Sequence, residues 1–338
     1  MTSIDRNYLP FSAEVVRKYF GWRDLPKEGP KRQIQAAEAA RKRAHKYVAK
    51  FEESAARRRA VEGQNRVGKP LKSLSKAYQL EKDETFWTAA TWIAVFESGR
   101  TRELLLELLP KAFKGRDPMP LDGELTTWEH CLEGQLSLRL EAVHPAPRGY
   151  KDWLAAQYRC GGAHCHPIPH VVDSAMPRPG KKTWKNLEGS THMDALIVNE
   201  DNGFVVAIEA KVLSDISAHV TYDVRRNQMA RSLDVLMDDA VTATRKYANL
   251  EAPLRARRKD RTLLLLQTPR RFRNPGRSRL YWYKFHEYTA NDKAIHDDLH
   301  HRTPEECATW PKRIGWLTWE DCSEADAELC GWLGRNGT

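Results

Sequence analysis

The chain has 338 residues, of which 41% are hydrophobic and 30% charged, enough for a sizeable buried core in one large or two medium domains. No apolar run approaches the roughly 20 residues of a membrane-spanning helix, and the polar N-terminus lacks a signal-like apolar stretch, so a cytoplasmic location is expected and a membrane partner is not. The formal net charge of +10 points instead to a polyanion.

That charge is concentrated. Residues 27–72 hold 14 Lys/Arg against 5 Asp/Glu, and residues 255–279 hold 10 against 1, which leaves the rest of the chain net acidic. Such segments suit phosphate neutralisation on DNA. In chain order, residues 31–62, rich in Ala, Arg, Lys and Glu, predict a long helix. It ends at Gly63 to Gly68, and a second helical stretch begins at Leu71. Residues 83–113, with Phe86, Trp87, Trp92 and Leu104 to Leu109, predict two packed helices. The run Gly115-Arg116-Asp117-Pro118-Met119-Pro120 reads as a linker. Residues 1–120 therefore form a basic helical region, expected either to clamp DNA or to mediate assembly with a second copy or a protein partner, and residues 121–338 form a second domain.

The second domain is expected to open with a helix capped by Thr127 and running from Trp128 through Leu140, with Glu129 and Glu133 one turn apart. Residues 145–190 are broken by Pro and Gly and carry Cys160, His164, Cys165, His166 and His170. Thiolates and imidazoles this close have zinc chemistry, but no second cysteine pair lies at finger-like spacing, so reduced cysteines and loop histidines are expected rather than Zn²⁺.

The centre of the chain carries the chemistry. Two apolar runs, His192 to Val198 and Phe204 to Ala210, flank a turn at Asn202-Gly203 and predict a β-hairpin. Asp194 sits inside one strand, and Glu209 and Lys211 lie two apart on one face at the end of the other. Charges are seldom placed in buried strands unless paired, metal-bound or catalytic. Two carboxylates and an ammonium at this junction suit Mg²⁺, with Mn²⁺ able to substitute, and a water. His192 shares the Asp194 face and is expected to support it by a hydrogen bond. A helix over 226–236 then places Gln228 and Arg231 on one face. Residues 261–268 predict a buried strand ended by Pro269, and Arg270, Arg271, Arg273, Arg277 and Arg279 follow on a loop expected to grip the nucleic-acid backbone. Tyr281 to Phe285 reads as an aromatic strand or a platform for stacked bases. A strand over 314–319 and an acidic helix from Glu320 complete the chain.

Asp194, a gap of fourteen residues, then Glu209-Ala210-Lys211, with the Gln228-x-x-Arg231 helix behind, resembles the signature of the PD-(D/E)XK nuclease superfamily; Met193 stands where the family often has proline. The resemblance covers about residues 125–335. It implies an α/β/α restriction-endonuclease-like core with a mixed central sheet, preceded by the helical N-terminal region, and a Mg²⁺-dependent nuclease hydrolysing DNA phosphodiester bonds in restriction or defence. It further implies Asp194 and Glu209 as metal ligands, Lys211, Gln228 and Arg231 as catalytic partners, and an additional metal-site acid on the preceding helix, Glu133 or Glu129. A repair, recombination or RNA nuclease, or a non-catalytic nucleic-acid-binding subunit of the same fold, is the alternative.

Overall fold

The computed structural model describes residues 11–20, 84–177, 187–238, 257–275 and 279–327, with residue 180 and isolated positions between 38 and 49. The helices expected over 31–62 and from Leu71 fall largely outside the described residues. The helices are α1 (Ala13–Lys18), α2 (Glu84–Glu97), α3 (Thr101–Ala112), α4 (Trp128–Cys131), α5 (Arg148–Cys160), α6 (Pro169–Ala175) and α7 (Gln228–Leu236), followed by α8 (Leu280–Ala290), α9 (Asp292–Asp298), α10 (Pro304–Cys307), α11 (Trp310–Arg313) and α12 (Trp319–Ala325). The strands are β1 (Leu136–His144), β2 (Thr191–Asn199), β3 (Val205–Ala210), β4 (Thr262–Thr268) and β5 (Ile314–Thr318). Among the described residues, no helix is long and apolar enough to cross a membrane.

The five strands form one mixed sheet in sequential order. β1, β2 and β3 are an antiparallel meander, and β4 and β5 add in parallel to β3. The expected hairpin is present. Its turn is organised by Asn199, whose side-chain oxygen accepts from the Asp201 and Asn202 amides while its nitrogen donates to the carbonyls of Cys131 and Glu133.

Period-two alternation gives the sheet two apolar faces. Ala195, Ile197, Val206, Ile208, Leu263 and Leu265 pack on one side with α2, α3 and Trp319. Leu196, Val198, Val205, Ala207, Leu264 and Leu266 pack on the other with α7, α8 and Trp310. The protein is thus α/β with helices on both faces of a mixed sheet. Although α2 and α3 precede the linker at 115–120, their Trp92, Ile93, Leu105 and Leu109 share one core with the sheet.

Two expected elements differ. The helix from Trp128 stops after one turn: Thr127 caps it as foreseen, but Gly134 takes φ +105°, and a Cβ there would lie 2.3 Å from the Asp201 carboxylate. The chain then enters β1, and Leu138 and Leu140 are strand residues. The aromatic run is not a strand but part of α8. The Asp215 carboxylate accepts from the amides of Leu280 and Tyr281 at 2.6 and 3.2 Å, satisfying first-turn donors, and Tyr281, Phe285 and Tyr288 are buried at helical spacing.

Candidate active site at the carboxyl edge of the sheet

The pairing Ala195↔Ile208 sets Asp194 opposite Glu209 on the next strand. On the other side, Leu140↔Ala195 and Ala142↔Met193 bracket Glu141, which lies opposite Asp194. Three acids therefore run in a row across β1, β2 and β3, an arrangement that costs energy unless something positive answers it. Glu141 adopts a left-handed backbone, φ +51°, and the apolar alternation of β1 changes face there: Leu140 belongs to one core and Ala142 to the other. Asp194 Oδ2 accepts from the Ala210 amide at 2.8 Å. Burial, and then the neighbouring Glu209, raise the Asp194 pKa well above the usual carboxylate range against the opposing pull of Lys211.

Lys211 answers the row. Its backbone amide continues the β3–β4 ladder to the Gln267 carbonyl at 2.8 Å. Its ammonium donates to Glu209 Oε1 at 2.7 Å and lies 3.5 Å from Glu84 Oε2. Burial works against the charge on Lys211, but Glu209, Asp194 and Glu84 outweigh it and hold the pKa above the ordinary lysine value. Gln228 donates from Nε2 to the same Glu209 oxygen, and Ser232, one turn later, reaches Glu209 Oε2 at 3.4 Å. Asp194, Glu209, Lys211 and Gln228 are thus gathered in one group.

Among the described residues, four helices begin at this edge. Glu84, the first residue of α2, pairs with Lys211 and also accepts from Ser214 Oγ. Gln228 begins α7, with Asn227 as its cap. The Trp319 indole at the start of α12 donates to the Lys211 carbonyl at 3.0 Å, and α8 begins on Asp215. The partial positive charge of these N-termini is met within the chain by Glu84, the Asn227 cap, Asp215 and the Thr318–Asp321 capping box, and the carboxyl edge of parallel strands is where open α/β sheets place ligands.

Arg231 is not brought to this group. Its guanidinium lies 2.7 Å from Glu188 and donates to the Ser190 carbonyl at 2.9 Å. Glu188 also faces the fully buried Arg226, which pairs with Asp234 at 2.8 Å and lies 3.7 Å from the Tyr150 ring centroid. Asp234 in turn receives His301 and Arg302. This network ties α7 to α5 and to the 187–190 segment that feeds β2.

The expected arginine loop begins as a 3-10 turn over Arg270–Arg273. Arg270 is tied to Asp321 and Glu324 on α12, and Arg273 donates to the Trp316 carbonyl. Arg271 and Arg279 both lie over the Phe272 ring, at 4.8 and 4.9 Å. Arg277 is outside the described residues.

Glu129 and Glu133 are exposed and lie by the hairpin turn, since the Glu133 carbonyl accepts from Asn199. That turn is the opposite end of β2 from Asp194, so neither joins the site. Glu84 and Glu141 stand there instead. The signal for Glu141 was the alternation of Leu136, Leu138 and Leu140, which marks a strand one residue short of an acid; the signal for Glu84 was an acid opening the apolar helix from Phe86. His192, exposed, pairs with Glu141 at 3.4 Å. In the 160–166 segment, Cys160 Sγ faces the Gln157 carbonyl, His164 bonds to Asp223 at 2.9 Å, and His166 Nδ1 accepts from the Ile168 amide.

Among the described residues, no three His, Cys, Asp or Glu side chains are gathered as a ready metal cage. The hard carboxylate oxygens of Asp194 and Glu209, crowded enough that one resists ionisation, suit a cation that keeps most of its waters, as Mg²⁺ does. No family model, curated protein or solved structure matches the chain.

Proposed function

We propose that this chain is a Mg²⁺-dependent nuclease that hydrolyses DNA phosphodiester bonds, an endonuclease of restriction or defence built on the PD-(D/E)XK plan. The observation that carries the reading is the convergence of Asp194, Glu209, Lys211 and Gln228 at one sheet edge, with Lys211 2.7 Å from Glu209. The antiparallel meander, a helix behind it and a strand added in parallel to β3 support the same plan. Asp194 and Glu209 would hold the metal; when bound, Mg²⁺ supplies an acidified water and charge compensation on the phosphate. Lys211, kept protonated by three acids, serves as a fixed cation for a phosphate oxygen and not as a base. Gln228, anchored on Glu209, would orient the water or the scissile phosphate.

The test is cleavage of plasmid, single-stranded DNA and RNA by purified protein with Mg²⁺ or Mn²⁺, with Asp194→Ala and Glu209→Ala as comparisons. Both variants should lose cleavage while retaining fold and DNA binding. Cleavage by Asp194→Ala at the wild-type rate under Mg²⁺ would remove the assignment.

A further inference from the structure

Helix α8 leaves the catalytic edge from its cap at Asp215, four residues after Lys211. Its buried side is Tyr281, Phe285 and Tyr288. Its outer side is aromatic: Tyr283 is 50% exposed, His286 is exposed and Trp282 is half-buried. Trp282 is fixed by its indole bond to the Arg273 carbonyl at 3.2 Å, and its ring centroid lies 4.3 Å from that of His286 and 5.1 Å from that of Tyr283. Guanidinium groups border this face. Arg271 and Arg279 lie over Phe272, and Arg116 lies 4.6 Å over Phe285. Among the described residues none of these three is ion-paired to a carboxylate, unlike Arg270, which α12 holds.

We propose that the outer face of α8 is a stacking track for the bases of single-stranded DNA, with Arg116, Arg271 and Arg279 holding the phosphates. Exposed π-faces interleaved with cations are what a single strand requires, since every base has a face to stack and every nucleotide a phosphate to neutralise. A duplex hides its base faces and can use only the cations. From Arg279 to His286 the helix rises about 10 Å, room for roughly three bases in a stack. The proposal rests on the nuclease reading for its biological sense, and it adds a substrate class: strands unpaired next to the cut.

Binding of fluorescein-labelled oligothymidylate, a matched duplex and an oligomer of abasic sugar-phosphate units is measured by anisotropy, in EDTA so that no cleavage intervenes. Tyr283→Ala should weaken oligothymidylate binding about 5- to 140-fold, the range for loss of one stacked base, and should leave the duplex and the abasic oligomer unchanged. Tyr283→Trp should restore binding, which separates stacking from damage to the fold. Arg271→Ala with Arg279→Ala should weaken all three ligands and flatten the salt dependence by about 0.7 for each single-strand phosphate no longer neutralised. Unchanged oligothymidylate binding in Tyr283→Ala, or equal losses on the abasic oligomer, would overturn the track. A chain that shows the stacking signature yet never cleaves would overturn the nuclease reading alone; one that cleaves while Tyr283→Ala binds normally would overturn the track alone.

Discussion

Asp194→Asn should abolish cleavage and make the metal-free protein more stable. Asparagine keeps the acceptor that meets the Ala210 amide at 2.8 Å and replaces a carboxyl whose ionisation the flanking Glu141 and Glu209 oppose. Two unit charges 4 Å apart repel by about 4 kcal/mol at an effective dielectric of 20, and Lys211 offsets much of this, so a net gain of about 1–2 kcal/mol is expected. In a chain of this length that is about 1–3 °C in Tm. The sign agrees with the raised Asp194 pKa: the folded state keeps a proton that the unfolded chain has released, so wild-type stability falls as pH rises above the ordinary aspartate value, and the variant should lack that slope. Mg²⁺ at about 100 times its Kd should stabilise the wild type by about 2.7 kcal/mol and the variant much less. The assay is thermal unfolding in EDTA and in MgCl₂, beside plasmid cleavage. A variant less stable than wild type in EDTA, or one that gains equally from Mg²⁺, would refute the reasoning.

Glu84→Gln should lower kcat about 10- to 100-fold, a cost of about 1.4–2.8 kcal/mol, with little change in KM, because it loosens the ammonium that Glu209 still holds; an unaltered kcat would detach α2 from the chemistry. Asp234→Ala strips Arg226, His301 and Arg302 of a shared buried partner and should destabilise the fold by about 3–5 kcal/mol, read by urea unfolding; a loss below about 1 kcal/mol would show that the network relaxes around the gap. Burial, and then Arg257, push His144 down to about 3. Because the unfolded chain binds that proton first, stability should be lost as pH falls from 6.5 toward 3, by about 2 kcal/mol at pH 5. His144→Leu should remove that part of the acid sensitivity, and an unchanged difference between pH 7.5 and pH 5 would count against it.

The hairpin and its charges were legible because a turn signal, apolar alternation and acids in strand context all point one way. Helix spacing puts Gln228 and Arg231 on one face, and the resemblance alone sends both to the site. Gln228 reaches Glu209, whereas Arg231 finds Glu188, forty-three residues upstream, because spacing gives the face a residue occupies but not the partner it finds. The stretch from Trp128 to Leu140 misled because Thr127 does cap a helix, and only the position of Gly134 against Asp201 shows how short that helix is. Tyr281 to Phe285 misled for the opposite reason. Aromatic residues favour strands locally, but Asp215, sixty-five residues before Leu280, caps a helix there. Glu84 shows in the sequence only as an acid opening an apolar helix, and nothing local connects it with a lysine 127 residues later.

The Trp319 indole on the Lys211 carbonyl has a consequence for biosynthesis. Long-range closure is slow, since loop entropy is lost before distant contacts return anything, and a chain emerging from the ribosome folds only what it has. Lys211 is exported early, with Glu84 already outside, but its carbonyl waits for a partner more than a hundred residues behind it. The reactive edge therefore acquires its full set of contacts only after β5 and the start of α12 have been made. On the proposed nuclease reading, translation itself would serve as a safety catch.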